Sequence, residues 1–323
     1  MIGMGAFLAA VGAGLAMGIS AMGSGIGVGI TGAAASGVVA EKPEKFGMCL
    51  LFQALPQTQA IYGFLTAILI MMGTGLLGGG AANIPVSVGL VAVGCGLAVG
   101  FAGLSAIGQG IAASAGIGAA TEKNEMFGKS MVFSVLPETQ AIYGLLIAIL
   151  LMSFSGILTK DYAAFVKNDL TAVGFVAVAC GLAIGIAGLS GIGQGIACAG
   201  GISATAEKPG MFGKGIVFSV LPETQAIYGL LIAILLMAFT GMFTKTFNVD
   251  VNQGMAVIGA GLAVGIAGLS AIGQGITCSA AIGATTRNPN AMGRGLIFAV
   301  MSETFAIFGL LVAILIIFGV GLI

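Results

Sequence analysis

Long apolar stretches alternate with short polar breaks along the whole chain, at residues 5–34, 47–76, 86–119, 128–158, 170–204, 212–242, 253–284 and 292–322. A helix needs about 20 apolar residues to cross a bilayer, so the pattern predicts an all-α membrane protein with eight transmembrane helices. Most stretches approach about thirty residues and, at about 1.5 Å per residue, project beyond the hydrocarbon layer. The first has no basic segment before it and outruns the apolar core of a secretion signal, so it reads as the first span and not as a leader.

The stretches are copies of one another. GLSAIGQGI at 103–111 returns as GLSGIGQGI at 188–196 and GLSAIGQGI at 268–276, and LPETQAIYG at 136–144 returns at 221–229 and, altered to MSETFAIFG, at 301–309. The first 76 residues are a diverged fourth copy, with GISAMGSGIG at 18–27 and LPQTQAIYG at 55–63. The unit is a helical hairpin repeated four times in tandem and in one orientation: 1–80, 81–165, 166–248 and 249–323. Repeats in one orientation argue against an alternating-access transporter built from inverted halves.

Odd-numbered spans carry glycines on one helical face, for example Gly96, Gly100 and Gly103, then Gly181, Gly185 and Gly188, then Gly261, Gly265 and Gly268. Such a strip lets another helix lie backbone-close. The odd spans therefore suit the crowded inner wall of a ring, and the even spans, rich in Leu, Ile and Phe, suit its lipid-facing outside.

Charge narrows the chemistry. Eleven basic residues balance eleven acidic ones, which leaves no polybasic footprint for nucleic acid and no acidic tail. With no histidine, and with Cys49, Cys95, Cys180, Cys198 and Cys278 lying singly in apolar runs, zinc sites, histidine bases and a disulfide framework are excluded. The sixteen methionines have no ligand spacing and read as packing. Lys42, Lys45, Lys123, Lys129, Lys208, Lys214, Arg287 and Arg294 lie in or beside the loops inside hairpins, and Lys160, Lys167 and Lys245 between hairpins. The positive-inside rule then makes the hairpin loops cytoplasmic and puts both termini outside.

Glu41, Glu44, Glu122, Glu125 and Glu207 belong to the hairpin loops, and Asp161, Asp169 and Asp250 to the connections between hairpins. That leaves Glu138, Glu223 and Glu303, each deep within an even-numbered span. A carboxylate at that depth costs a few kcal/mol, about 2.5–3.5 on the mildest scale, so three of them at one repeat position mark function. Each follows a glutamine by 29 residues, Gln109, Gln194 and Gln274 respectively, an offset that brings the two side chains to similar depth on neighbouring helices. Thr139 and Gln140, and Thr224 and Gln225, follow the first two glutamates. A carboxylate with amide and hydroxyl oxygens in a dry site suits a small hard cation. A proton needs only the carboxylate and one acceptor, so the surplus of oxygens favours Na⁺ over H⁺. Tyr62, Tyr143 and Tyr228, with Phe308 in the fourth copy, stand five residues after Gln57 or a glutamate. The tyrosines read either as hydroxyls that lock the carboxylate or as packing aromatics; in the first case Phe308 predicts a looser third site.

Hairpins with a mid-membrane glutamate, LPETQAIYG and a glycine-rich partner helix resemble the proteolipid (K or c) subunits of V-type and A-type rotary ATPases over nearly the whole chain. The resemblance implies an Na⁺ held between hairpins by a Leu carbonyl, Thr and Gln of one and Gln and Glu of the next. The three sites are then Leu55, Thr58, Gln59, Gln109 and Glu138; Leu136, Thr139, Gln140, Gln194 and Glu223; and Leu221, Thr224, Gln225, Gln274 and Glu303. The fourth interface departs from the pattern. Gln57 takes the glutamate position, Phe305 the second amide position, and Ser24 the glutamine position on the best alignment, with Val28 as the alternative; no ion is expected there.

The resemblance further implies a rotor ring made of copies of the chain, turning in lipid against a stator a/I-type subunit with a membrane arginine and bound to central-stalk subunits at its cytoplasmic loops, in a prokaryotic cell membrane. ATP chemistry falls to other subunits, since no GxxxxGK[ST] motif occurs and no organic cofactor is expected. With three ATP per turn, a ring of N hairpins carries 3N/4 carboxylates and moves N/4 ions per ATP. Two rivals remain: an H⁺-driven rotor of the same type, and a self-contained cation transporter or channel using the glutamates as a relay.

Overall fold

The computed structural model describes residues 3–78, 84–162, 165 and 170–323. Lys167 and Asp169, two of the charges between hairpins, lie outside the described residues. Among the described residues eight helical spans are long and apolar enough to cross a membrane: Met4–Glu41, Pro43–Gly73, Val86–Glu122, Met126–Phe154, Thr171–Glu207, Pro209–Phe239, Val251–Arg287 and Pro289–Gly319. They are numbered 1 to 8 below, and each odd span forms a hairpin with the even span after it.

The odd spans pack side by side in one row, and each even span lies outside its own odd partner, touching its even neighbours far less. Glycine sets the spacing of the inner row. A methyl on Gly96 would collide with the carbonyl oxygen of Gly12, one on Gly181 with that of Gly94, and one on Gly195 with that of Gly108. The backbones are thus in contact, as small-residue interfaces in membranes allow. The even spans turn Ile61, Phe64, Ile142, Leu146, Ile227 and Leu231 outward. Cys95 and Cys180 repeat one role, their thiols near the Ala148 and Ala233 carbonyl oxygens at 3.5 and 3.4 Å, and all five cysteines are buried and unpaired.

Gly195→Ala drives a methyl into a backbone and is expected to destabilise by about 1–3 kcal/mol, as overpacking does. Gly118 faces open space, so Gly118→Ala gains only helix propensity, up to about 1 kcal/mol. Thermal unfolding in detergent should therefore move down for the first and up slightly or not at all for the second.

The spans are not straight rods. Proline lacks an N–H and crowds the preceding turn, so span 2 runs as Phe46–Ala54, a 3₁₀ turn at Leu55–Gln57, and Thr58–Gly73. Spans 4 and 6 break likewise at Leu136–Glu138 and Leu221–Glu223. Spans 3, 5 and 7 break at Gly103 and Leu104, Gly188 and Leu189, and Gly268 and Leu269, whereas span 1 is unbroken.

Candidate functional site

The breaks free backbone carbonyls for other partners, and the polar side chains gather there. In the first hairpin the Thr58 hydroxyl stands 3.1 Å from the Leu55 carbonyl oxygen and 3.1 Å from Gln59 Oε1. In the second and third, Thr139 stands 3.0 Å from Leu136 O and 3.3 Å from Gln140 Oε1, and Thr224 stands 2.9 Å from Leu221 O and 3.2 Å from Gln225 Oε1. In each cluster one hydroxyl proton serves three oxygens. The excess of lone pairs is what a hard cation takes up, with oxygen ligands at about 2.3–2.6 Å for an ion of calcium's size.

The next hairpin closes the cluster. Gln59 Nε2 donates to Gln109 Oε1 at 2.7 Å, which fixes the Gln109 amide so that its Nε2 donates to Glu138 Oε2 at 3.3 Å. The same relay runs from Gln140 through Gln194 to Glu223, at 2.7 and 3.1 Å, and from Gln225 through Gln274 to Glu303, at 2.7 and 3.2 Å. All six glutamines are fully buried. The other carboxylate oxygen, Oε1, accepts a 2.6 Å bond from tyrosine: Tyr62 to Glu138, Tyr143 to Glu223 and Tyr228 to Glu303.

The structure thus brings together, three times, the Leu, Thr and Gln of one hairpin with the Gln and Glu of the next, in the groupings the sequence suggests. It corrects two expectations. Each tyrosine bonds the glutamate of the following hairpin, not the one five residues before it in its own, so Glu303 has its tyrosine donor in Tyr228. Phe308 leaves no site looser; it lies 61% exposed on the outer flank of hairpin 4, beside Phe305 at 63%.

The second correction concerns Ser24. Its hydroxyl accepts from the Ala60 N–H at 3.0 Å within hairpin 1. Gly27 packs against the Ala106 backbone as Gly108 packs against that of Gly191, and Lys42 and Lys123 end the corresponding long helices alike. In this register Ser24 matches Ser105, and Val28 holds the glutamine position, 29 residues before Gln57 as Gln109 is before Glu138. The fourth interface therefore offers Val28 and Gln57 on one flank of the chain and Phe305 and Phe308 on the other, while the Thr304 hydroxyl turns to its own Met301 carbonyl at 2.7 Å.

A set of lysines escapes the sequence motifs. Lys123 Nζ bonds the Ala206 carbonyl at 2.5 Å and Lys208 Nζ that of Thr286 at 2.6 Å, tying each hairpin loop to the helix end of the next; Lys45 reaches Asn124 Oδ1 at 2.5 Å. Lys123 and Lys208 hold one repeat position, which is the signal that could have found them, whereas Lys45 stands three residues past the corresponding Lys42.

The family profile for the C subunit of ATP synthase matches the chain four times, at 11–70, 93–151, 178–236 and 258–316. The A-type ATP synthase subunit K of Methanocaldococcus jannaschii is 58% identical over 71% of this chain and 96% of its own. The V-type sodium ATPase subunit K of Enterococcus hirae is 41% identical over 38% of this chain and 75% of its own. The c' polypeptide of the V-type proton ATPase of Saccharomyces cerevisiae is 34% identical over 42% of this chain and 85% of its own. Four matches in register with four hairpins, each pairing an apolar even span with a glycine-packed odd one, leave one assignment: the chain belongs to the family of the ATP synthase C subunit, as an integral membrane K/c proteolipid of four fused hairpins.

Proposed function

We propose that the chain forms the rotor ring of an A/V-type ATPase and carries Na⁺ on Glu138, Glu223 and Glu303. The observation that carries the choice of ion is the oxygen cluster, in which a Leu carbonyl, a Thr hydroxyl and a Gln carbonyl share one proton beside a carboxylate already served by two donors. A proton carrier needs none of that surplus. The names of the relatives support a rotary ATPase but divide between sodium and proton.

In this reading an empty carboxylate is charged and shuns lipid, so it travels only beside a stator arginine; a loaded one is neutral as a whole and passes through lipid. Tyr62, Tyr143 and Tyr228 hold the carboxylate against its neighbour hairpin while loaded. The fourth interface, with Val28, Gln57, Phe305 and Phe308, binds no ion. Hairpin loops face the cytoplasm of a prokaryotic cell, where central-stalk subunits engage them.

Carbodiimide labelling tests the ion. At constant pH, Na⁺ should slow labelling of all three glutamates in the purified protein. No protection by Na⁺ would leave the proton rotor. Cation transport by the purified protein alone would instead favour the self-contained transporter.

A further inference from the structure

Within the chain, successive hairpins meet through three repeated contacts at and near the loop end. Phe52 packs edge-on against Phe127 and Phe133 against Phe212, with ring centroids 5.7 and 5.5 Å apart; Phe218 and Met292, at the same repeat positions, share one hydrophobic cluster. Glycine meets backbone in register, Gly108 on Gly191 and Gly193 on Ala271. Glu122 and Lys123 share a groove with Glu207 of the next hairpin.

Each series stops unpartnered at both ends of the chain. Carried one hairpin further, the aromatic series joins Phe298 to the position of Phe46, and these are 62% and 55% exposed. The glycine series joins Gly273 to Gly25 and Gly29; the latter two have nothing near them, and Gly273 has only Ser302 Oγ at 3.8 Å. The charge series joins residue 287 to residue 41. Here the chemistry changes: where hairpins 2 and 3 place Glu122 and Glu207 in one groove, hairpin 4 offers Arg287 to Glu41. It also has Asn288 in place of the clamp lysines Lys123 and Lys208, and Asn288 spends its side chain on the Asn290 N–H. The terminal odd spans are correspondingly bare, 39% buried each over their apolar windows against 72% for spans 3 and 5.

From these complementary ends we infer that the joint between hairpin 4 of one copy and hairpin 1 of the next is closed by a clasp in which Arg287 pairs with Glu41 and Phe298 seats against Phe46 of the neighbouring copy. The proposal rests on the ring reading and deepens it by giving the ion-free seam its own adhesive. A head-to-tail contact uses two different surfaces and closes into a ring when its rotation divides the circle. Inside the chain covalent linkage and the Gln–Glu–Tyr relay hold hairpins together. The seam has neither, and Val28, Phe305 and Phe308 make it apolar, as the cores of permanent homo-oligomer interfaces are. An exposed ion pair contributes little energy, but it rejects the wrong register, because hairpin 1 against hairpin 1 sets Glu41 against Glu41.

The test uses the full-length protein in detergent, with cysteines at positions 41 and 287 together (Glu41→Cys with Arg287→Cys) and a short bismaleimide; the native cysteines are buried. The expected product is a ladder of covalent multimers ending at the full ring, while Glu41→Cys alone gives none. Arg287→Glu should lower the temperature at which the oligomer dissociates in SDS, and Arg287→Glu with Glu41→Arg should restore it. A dimer as the largest product, cross-linking by Glu41→Cys alone, or an unchanged oligomer in Arg287→Glu would overturn the clasp. So would a double-cysteine protein that links to no copy, which would mean that another protein covers these flanks. A full ladder without Na⁺ protection of the glutamates leaves the clasp standing and removes only the sodium reading.

Discussion

Glu223→Gln is expected to lower ATP-driven Na⁺ uptake to about two thirds of native, whereas Glu138→Gln or Glu303→Gln lowers it more than about tenfold. The difference follows from order around the ring. Carboxylates come as Glu138, Glu223 and Glu303, and then the interface of Gln57 has none. The native rotor therefore already turns past one empty interface. Losing Glu223 leaves full and empty interfaces alternating, with no gap wider than the native one, so two ions in three still travel. Losing Glu138 or Glu303 sets two empty interfaces side by side, and the stator arginine meets a step with no carboxylate in reach. An unpaired charge at that depth costs about 2.5–3.5 kcal/mol, and each ~1.4 kcal/mol is a factor of ten in rate. Sodium uptake into vesicles carrying the assembled ATPase, normalised to rotor content, makes the comparison. Equal losses in the three variants would remove the dependence on gap width.

The hairpins were legible in the sequence, because apolar length dictates spans, and so was the grouping of a Leu, Thr and Gln of one hairpin with the Gln and Glu of the next, since LPETQ and GxGQG recur together. Two features were not legible, for physical reasons. Sites form between hairpins, while counting along the chain measures distance within one; the partner of Glu303 is therefore Tyr228 and not Phe308. The register of span 1 is ambiguous because a slip of four residues is nearly one helical turn. In a glycine-rich helix that slip keeps every small residue on its face while moving it about 6 Å along the axis. GISAMGSG then aligns as well in one place as in the next. What breaks the tie is three-dimensional: Gly27 against the Ala106 backbone, and the shared helix end at Lys42 and Lys123.

That register makes the fourth interface a buildable site. Gln57→Glu alone is expected to add no Na⁺-protected carboxylate: its neighbours across the seam are Phe305 and Phe308, its own hairpin offers Val28 in place of an amide, and burying its charge without partners costs several kcal/mol. Val28→Gln, Gln57→Glu, Phe305→Gln and Phe308→Tyr together restore the relay donors and the lock, and Thr304 and the Met301 carbonyl are already in place. The combined variant should show four Na⁺-protected glutamates per chain and, at an unchanged number of turns per ATP, move about one third more Na⁺ per ATP, four carboxylates standing where three stood. Ser24→Gln in place of Val28→Gln should fail, because Ser24 sits one turn away and holds the Ala60 N–H. The gain carries a cost in assembly. Phe305 and Phe308 are the apolar surface of the seam, and exchanging them for groups that need an ion or each other should make the ring dissociate at lower temperature without Na⁺ and recover when Na⁺ is added. A native-like melting temperature without Na⁺ would show that the aromatic pair was not what closed the seam. The ion-free interface would then not follow from the opposite demands that a joint between chains and a gate for ions make on the same few side chains.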